Sequence, residues 1–368
     1  MDIPKFSEDE LKVVDELPEM PWRPVIKIFD YPVTAREAML SVYKDKKALW
    51  QIIGVENQLF NPWIYPDNIA RAWVMEAQPF DALKDGGGLD VFGVKWVYVP
   101  VAMGSMEDPN EEPWMDDAND WKEYVHFPDL DSWDWEASAA ANNDIYLKPD
   151  VVNTMWIQNG FFERLISFMG FEDASVAMID EDQEDAVKEF MRAMADFYID
   201  LIDHFVKYYK YIDGFYIHDD WGSSKDTFVA PDRIAEIVVP AMRRVTDHIH
   251  GLGMYAELHS CGCNYKQVQN MIDAGWDVWI PQAAVNDVEK IYNEFGDQMI
   301  IGVPVQFDPE KTTEEEQRQA ARDYAKKFCK PDKPSIFSGI DCCTCLTPAF
   351  REELYIASRK AYSGEAVD

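Results

Sequence analysis

The sequence predicts an α/β fold, a (β/α)8 TIM barrel. Three observations carry that prediction. From about Asp150 onward, strand-like and helix-like segments alternate with short connections, the mark of parallel βα units. Polar, ligand-competent residues fall at the C-terminal ends of the strand-like runs, where such barrels place their active residues. No G-x-G-x-x-G segment follows any strand-like run, which counts against the competing doubly wound sheet.

The elements follow in order. Residues 1–50 read as a helical N-terminal extension, with TAREAMLSVYKDKKALW (34–50) a helix capped by Thr34. WQIIGV (50–55) is the first barrel strand. After the Gly-rich turn KDGGGLDVFG, VKWVYVPV (94–101) is the second. Residues from about 105 to 148 are acidic and Trp-rich, and read as an insertion of short helices and loops over the barrel. Its tryptophans anchor it to the body; stacking on a substrate is the alternative. VVNTMW is a strand, GFFERLISFMG a short helix ending at Gly170, and EDQEDAVKEFMRAMADFYIDLIDHFVKYY a long helix by its apolar spacing. Next come the strand IDGFYIH and the Gly-stopped helix APDRIAEIVVPAMRRVTDHIHGLG. MYAELHS, WDVWIP, QMIIGVPV and PSIFSG are the remaining strands, each followed by a helix. The last helix is TPAFREELYIASRKAYSG. The whole of 1–368 is expected to be one barrel domain.

The charge narrows the partners. With 68 acidic and 34 basic residues the net charge is −34, which repels nucleic acid and anionic lipid and opposes a strongly anionic substrate. Solubility is its plainest consequence. No stretch approaches the roughly 18 apolar residues of a membrane span. The acidic N-terminus lacks a secretory pattern, so no membrane partner and a cytoplasmic location are expected.

The chemistry concentrates in ELHSCGC. Five of six cysteines fall in two clusters, Cys261 and Cys263, then Cys342, Cys343 and Cys345. If the strand runs through Cys261, alternation puts Glu257, His259 and Cys261 on one face and turns Cys263 away. A thiolate from Cys342, Cys343 or Cys345 would complete a His-Cys-Cys set. Zn2+ suits imidazole plus thiolate, and three protein ligands with an open position is the catalytic arrangement. Two alternatives stay open: buried core cysteines, and thiol–disulfide chemistry, for which no C-x-x-C stands in a thioredoxin-like setting. At the other strand ends, His218 closes IDGFYIH and Asp219, Asp220 and Trp221 follow it, Gln282 follows WDVWIP, and Gln306 and Asp308 follow QMIIGVPV. Asp219 and Asp220 are the candidate catalytic carboxylates, able to orient a substrate, give a proton to a leaving oxygen or hold a metal ligand. A solvated or helix-capping pair is the alternative. Gln282 and Gln306 are candidate substrate contacts.

Several segments together resemble the uroporphyrinogen decarboxylase superfamily: DGFYIHDDWGSSKDTFVAPDRIAEIVVPAMRRVTDHIHGLGMYAELHSCG, GVPVQFDP, GLDVFGVKW, DWKEYVHFPD, and the TP (Thr347, Pro348) opening the last helix. The resemblance spans roughly 90–364 and implies a (β/α)8 barrel. True decarboxylases of that family hold substrate propionates with N-terminal arginines in a motif like MRQAGRY. This chain has MPWRPVIKIFDYP instead, and its charge suits an octa-anionic tetrapyrrole poorly. The other branch comprises zinc-dependent methyltransferases that work with corrinoid proteins. Their His-x-Cys motif matches His259 and Cys261. The third cysteine of that pattern belongs about six positions before the TP, which lands on Asp341; Cys342 is nearest, Cys343 next, and Cys345 too near the helix. The resemblance thus implies a zinc-dependent methyltransferase, of the O-demethylase type by preference. It would move a methyl group between a small methyl ether, methylamine or thiol and the cobalt of a cobalamin (corrinoid) carried by a separate protein. A decarboxylase-like enzyme and a non-catalytic zinc-stabilised barrel are the alternatives.

Overall fold

Several helix starts in this chain are set by side-chain caps that satisfy otherwise unpaired amides. Thr34 and Glu37 form a reciprocal capping box at the start of Ala35–Asp45, and the helix stops where Lys46 turns left-handed at φ 52°. Thr313 with Glu316 does the same for Glu314–Phe328, and Thr347 caps Pro348–Tyr362. Gly170, at φ 75°, breaks the helical stretch Phe161–Ala177 where the sequence predicts a stop. The computed structural model describes residues 4–20, 23–102 and 104–367; the side chains of Ala102, Ile340 and Asp341 lie outside what it describes.

The fold is the predicted α/β, TIM-barrel-like one. Seven strands carry it: Asn57–Phe60, Val152–Ile157, Ile212–His218, Tyr255–His259, Val278–Trp279, Ile300–Val303 and Ile336–Phe337. The chain divides into two interleaved units, one of residues 1–57, 150–152 and 277–368, the other of 58–149 and 153–276.

In the first unit, Val278–Trp279, Ile300–Val303 and Ile336–Phe337 pair in parallel. The segment 50–55, expected as a strand, is coil and turn. The Glu56 carboxylate explains this: it accepts from the amides of Ile53 and Gly54 and from Trp50 Nε1, folding the segment back on itself. Ile52 keeps one strand-like contact, its carbonyl accepting from the Phe337 amide at 2.8 Å. The N-terminal extension is not all helical either. Val13–Leu17 and Ile26–Phe29 form an antiparallel pair, with Glu16 opposite Lys27. The last helix is tied down by Arg359 and Tyr355, both bonded to the Glu10 carboxylate.

In the second unit, residues 153–157, Ile212–His218 and Tyr255–His259 pair in parallel, aligning Trp156 with Tyr216 and His218 with His259. The first two strands are buried along their whole length, as a sheet covered on both faces requires. The run 94–101 is not a barrel strand. Lys95–Val99 is instead the middle of a three-stranded antiparallel sheet with Gly88–Leu89 and Gly104–Glu107. The Asp90 carboxylate causes the reversal. One oxygen accepts from the amides of Phe92, Gly93 and Val94, and the other takes Trp96 Nε1 and the guanidinium of buried Arg164. Arg164 also pairs with buried Asp67. After the strand Gly104–Glu107 the acidic stretch to about 148 consists of short helices and turns, and its tryptophans pack on the long helix. Trp135 stacks on Tyr208 and meets Phe205 edge-on, and Trp121 packs on Phe190, all on the long helix Glu184–Tyr208. Among the described residues no helix is long and apolar enough to cross a membrane.

Candidate metal centre

Two neighbouring parallel strands each end in histidine, and their register sets the two side by side. His218 and His259 stack with ring centroids 4.4 Å apart and planes 12° apart. Each ring is held through Nδ1: Tyr216, two residues before His218, places its hydroxyl 2.7 Å from His259 Nδ1, and Glu163 Oε2 lies 2.5 Å from His218 Nδ1. Both Nε2 atoms therefore turn toward a common space. Asp220 Oδ1 lies 3.7 Å from His218 Nε2 and 3.9 Å from His259 Nε2. Cys261 Sγ lies 3.1 Å from His259 Nε2. His218, Asp220 and His259 each offer a ligand atom within 4.8 Å of the others.

The strand ends at His259, so Cys261 does not reach its neighbour by strand alternation, as the sequence suggests. It is brought there by the following loop, which packs on the loop after His218. Gly262 makes that possible: at φ +92°, a Cβ there would sit 2.0 Å from the Gly222 carbonyl oxygen. The Cys263 amide donates to the Ser223 carbonyl at 2.7 Å, and the Cys261 amide to Asp220 Oδ1 at 2.6 Å. Asn264 closes the loop on the Cys261 carbonyl.

The electrostatics suit a cation. Burial pushes His259 down to about 3 and His218 down to about 4, so both imidazoles are neutral, the form that coordinates a metal. Burial, the Asp220 charge and the Glu163 charge push the Cys261 thiol up. Glu163 is likewise raised, by burial and then by Asp220 and Glu107 against the opposing pull of Arg71. Asp220 resists burial through the two imidazoles and the Cys261 amide, and sits below the ordinary carboxylate range. Acidic groups crowded out of water raise one another's pKa, and a divalent ion in their midst would reverse this. The donor set of imidazole, thiolate and carboxylate fits Zn2+.

The two candidate carboxylates divide. Asp220 joins the donors. Asp219 is fully buried and turned to the start of the helix after Gly160, where it accepts from the Glu163 amide and from Trp221 Nε1. Burial and then the Glu163 charge raise it to about 7. The other sequence candidates lie in the first unit. Cys342 and Cys343 sit on a short helical turn, their thiols donating to the Ser338 and Gly339 carbonyls, and Cys345 donates to Phe307. The Gln282 carbonyl accepts from Val285 and Asn286, Gln306 is exposed, and Asp308 closes a surface turn by accepting from Glu310 and Lys311. His218, Tyr216 and Glu163 were not singled out from sequence as ligand or support. Two strands ending in histidine was the available signal for His218; nothing in the sequence marks Glu163.

Residues 164–336 match the uroporphyrinogen decarboxylase family. The matched stretch holds both histidine-ended strands and Cys261, and bears out the resemblance that those segments carry. Among solved structures, a methyltransferase from Methanosarcina mazei aligns with a TM-score of 0.54 at 13% identity, covering 89% of this chain and 98% of that one. At that identity the likeness is one of fold. No curated protein matches the chain.

Proposed function

We propose that the protein is a zinc-dependent methyltransferase. It would move a methyl group between a small organic substrate and the cobalt of a corrinoid carried on a separate protein, with substrate demethylation the favoured direction. The observation that carries this is the cluster of His218, Asp220 and His259 at two adjoining strand ends, with Cys261 Sγ 3.1 Å from His259 Nε2. The family match over 164–336 and the methyltransferase of like fold support it. A cytoplasmic location belongs to the same reading.

His259, Cys261, Asp220 and His218 would hold Zn2+. When bound, the ion supplies a Lewis acid that stabilises the departing heteroatom anion. The chain's own residues do the rest. Tyr216 and Glu163 keep the imidazoles oriented. Burial excludes water from the reacting atoms, and Asp219 ties the Trp221 ring to the start of the helix after Gly160. The roles given to Gln282 and Gln306 stand on the sequence alone. A four-donor set would also suit a closed structural site; the cavity bordered by Asp220 favours the catalytic one.

The test is a methyl-donor screen with cob(I)alamin, following methylcobalamin absorbance with and without chelator, beside zinc analysis of H259A and C261A. Both variants should lose zinc and transfer together. Full zinc content and full transfer in H259A would sink the proposal.

A further inference from the structure

Beside Asp220 lies a cavity of about 260 Å3, bordered by Arg71, Trp96, Ser105, Glu163 and Phe228. Its polar edge is unusual. The Arg71 guanidinium lies over the Trp96 ring, 4.8 Å from the centroid. Among the described residues its one hydrogen bond runs from Nη1 to Asn159 Oδ1 at 3.1 Å, and Glu163 stands off at 3.8 Å. Most of its five donors are therefore left for a ligand. Ser105 Oγ is buried with no hydrogen-bond partner among the described residues, a costly state for a hydroxyl unless something else fills it. The carboxylates nearby are engaged: Glu163 on His218 and Asp220 on the Cys261 amide. The groups left to grip a ligand are thus a guanidinium fork and a hydroxyl, set between aromatic walls.

We propose that Arg71 and Ser105 select a small organic monoanion, holding its carboxylate while its apolar body lies along Trp96 and Phe228 and its methylated heteroatom points to Asp220. A fork of N–H donors matches a carboxylate in two parallel bonds. The Glu107 and Asp220 carboxylates bordering the same space turn away a second anionic group. This deepens the methyltransferase reading, on which it rests for what happens to the bound substrate; the binding preference is measured apart from any transfer.

The experiment is equilibrium binding of benzoate, benzamide and benzylamine to the full chain, read by tryptophan fluorescence and calorimetry, with and without added zinc. Benzoate should bind tightest. R71Q should weaken benzoate about ten- to a hundredfold and leave benzamide unchanged, R71K should restore only part, and S105A should weaken benzoate less. Equal binding of the three, a preference for benzylamine, no binding of any, or a uniform loss in R71Q would each overturn the proposal. A benzoate preference lost selectively in R71Q, in a protein that transfers no methyl group, would keep this inference and remove the enzyme reading.

Discussion

A histidine presents one ring nitrogen reliably only when the other is held. Here Tyr216 holds His259 and Glu163 holds His218. Y216F should therefore bind zinc about ten- to a hundredfold more weakly in chelator competition, with an unchanged circular dichroism spectrum. The neighbouring aspartates should part under substitution. D220N should lose metal and keep its stability. D219A should keep metal but lose about 1–3 kcal/mol in denaturant unfolding, because the Glu163 amide and Trp221 Nε1 lose a buried acceptor. Zinc content of C342S and C343S tests the second thiolate that the sequence leads one to expect: loss in one of them would put that cysteine in the ligand set, and full zinc in both would leave the set to His218, Asp220, His259 and Cys261.

At the scale of elements, the site depends on two loops lying closer than side chains permit. G262A should push the 260–264 loop off Gly222 and abolish metal binding while the helices and strands persist, seen as lost zinc with unchanged far-ultraviolet dichroism. Arg164 does comparable work for the antiparallel sheet. R164M would leave Asp67 and Asp90 buried and unpaired, a loss of about 3–5 kcal/mol in denaturant unfolding. These pairings also explain where sequence reading of the elements failed. Val94–Val101 has the composition of a barrel strand, yet Asp90 turns the chain back upon it. Residues 50–55 are apolar enough for a strand, but Glu56 bonds their amides. In both places one carboxylate redirects the backbone, and β-propensity carries no trace of it.

Across the whole molecule, a net charge of −34 makes self-repulsion a standing cost that deepens as groups deprotonate. His204 adds a local term of the same sign. Burial would lower its pKa, but the Asp200 carbonyl and the Asp131 carboxylate outweigh burial and raise it. A raised pKa means that the stabilisation is complete below the unfolded value, about 6.5, and is lost as pH rises through the folded one. The melting temperature should therefore change less favourably from pH 6 upward than it does in H204F; the depressed His218 and His259 contribute with the opposite sign, equally in both proteins. The same pH dependence in that variant would remove His204 from the account.

By itself the sequence determined the βα alternation, most helix starts, the packing role of the tryptophans in the acidic stretch, and His259 and Cys261 as candidates close together in the chain. Each of these is local: caps, periodicity and short motifs act over a few residues. Only the tertiary structure decided that His218 stands beside His259, that Asp220 and not Asp219 lies near both Nε2 atoms, and that Glu163 and Tyr216 hold the two rings. Those facts come from strand register and from loops meeting across forty residues of chain. Such contacts depend on which backbones approach each other, which residue types along the chain do not encode one position at a time.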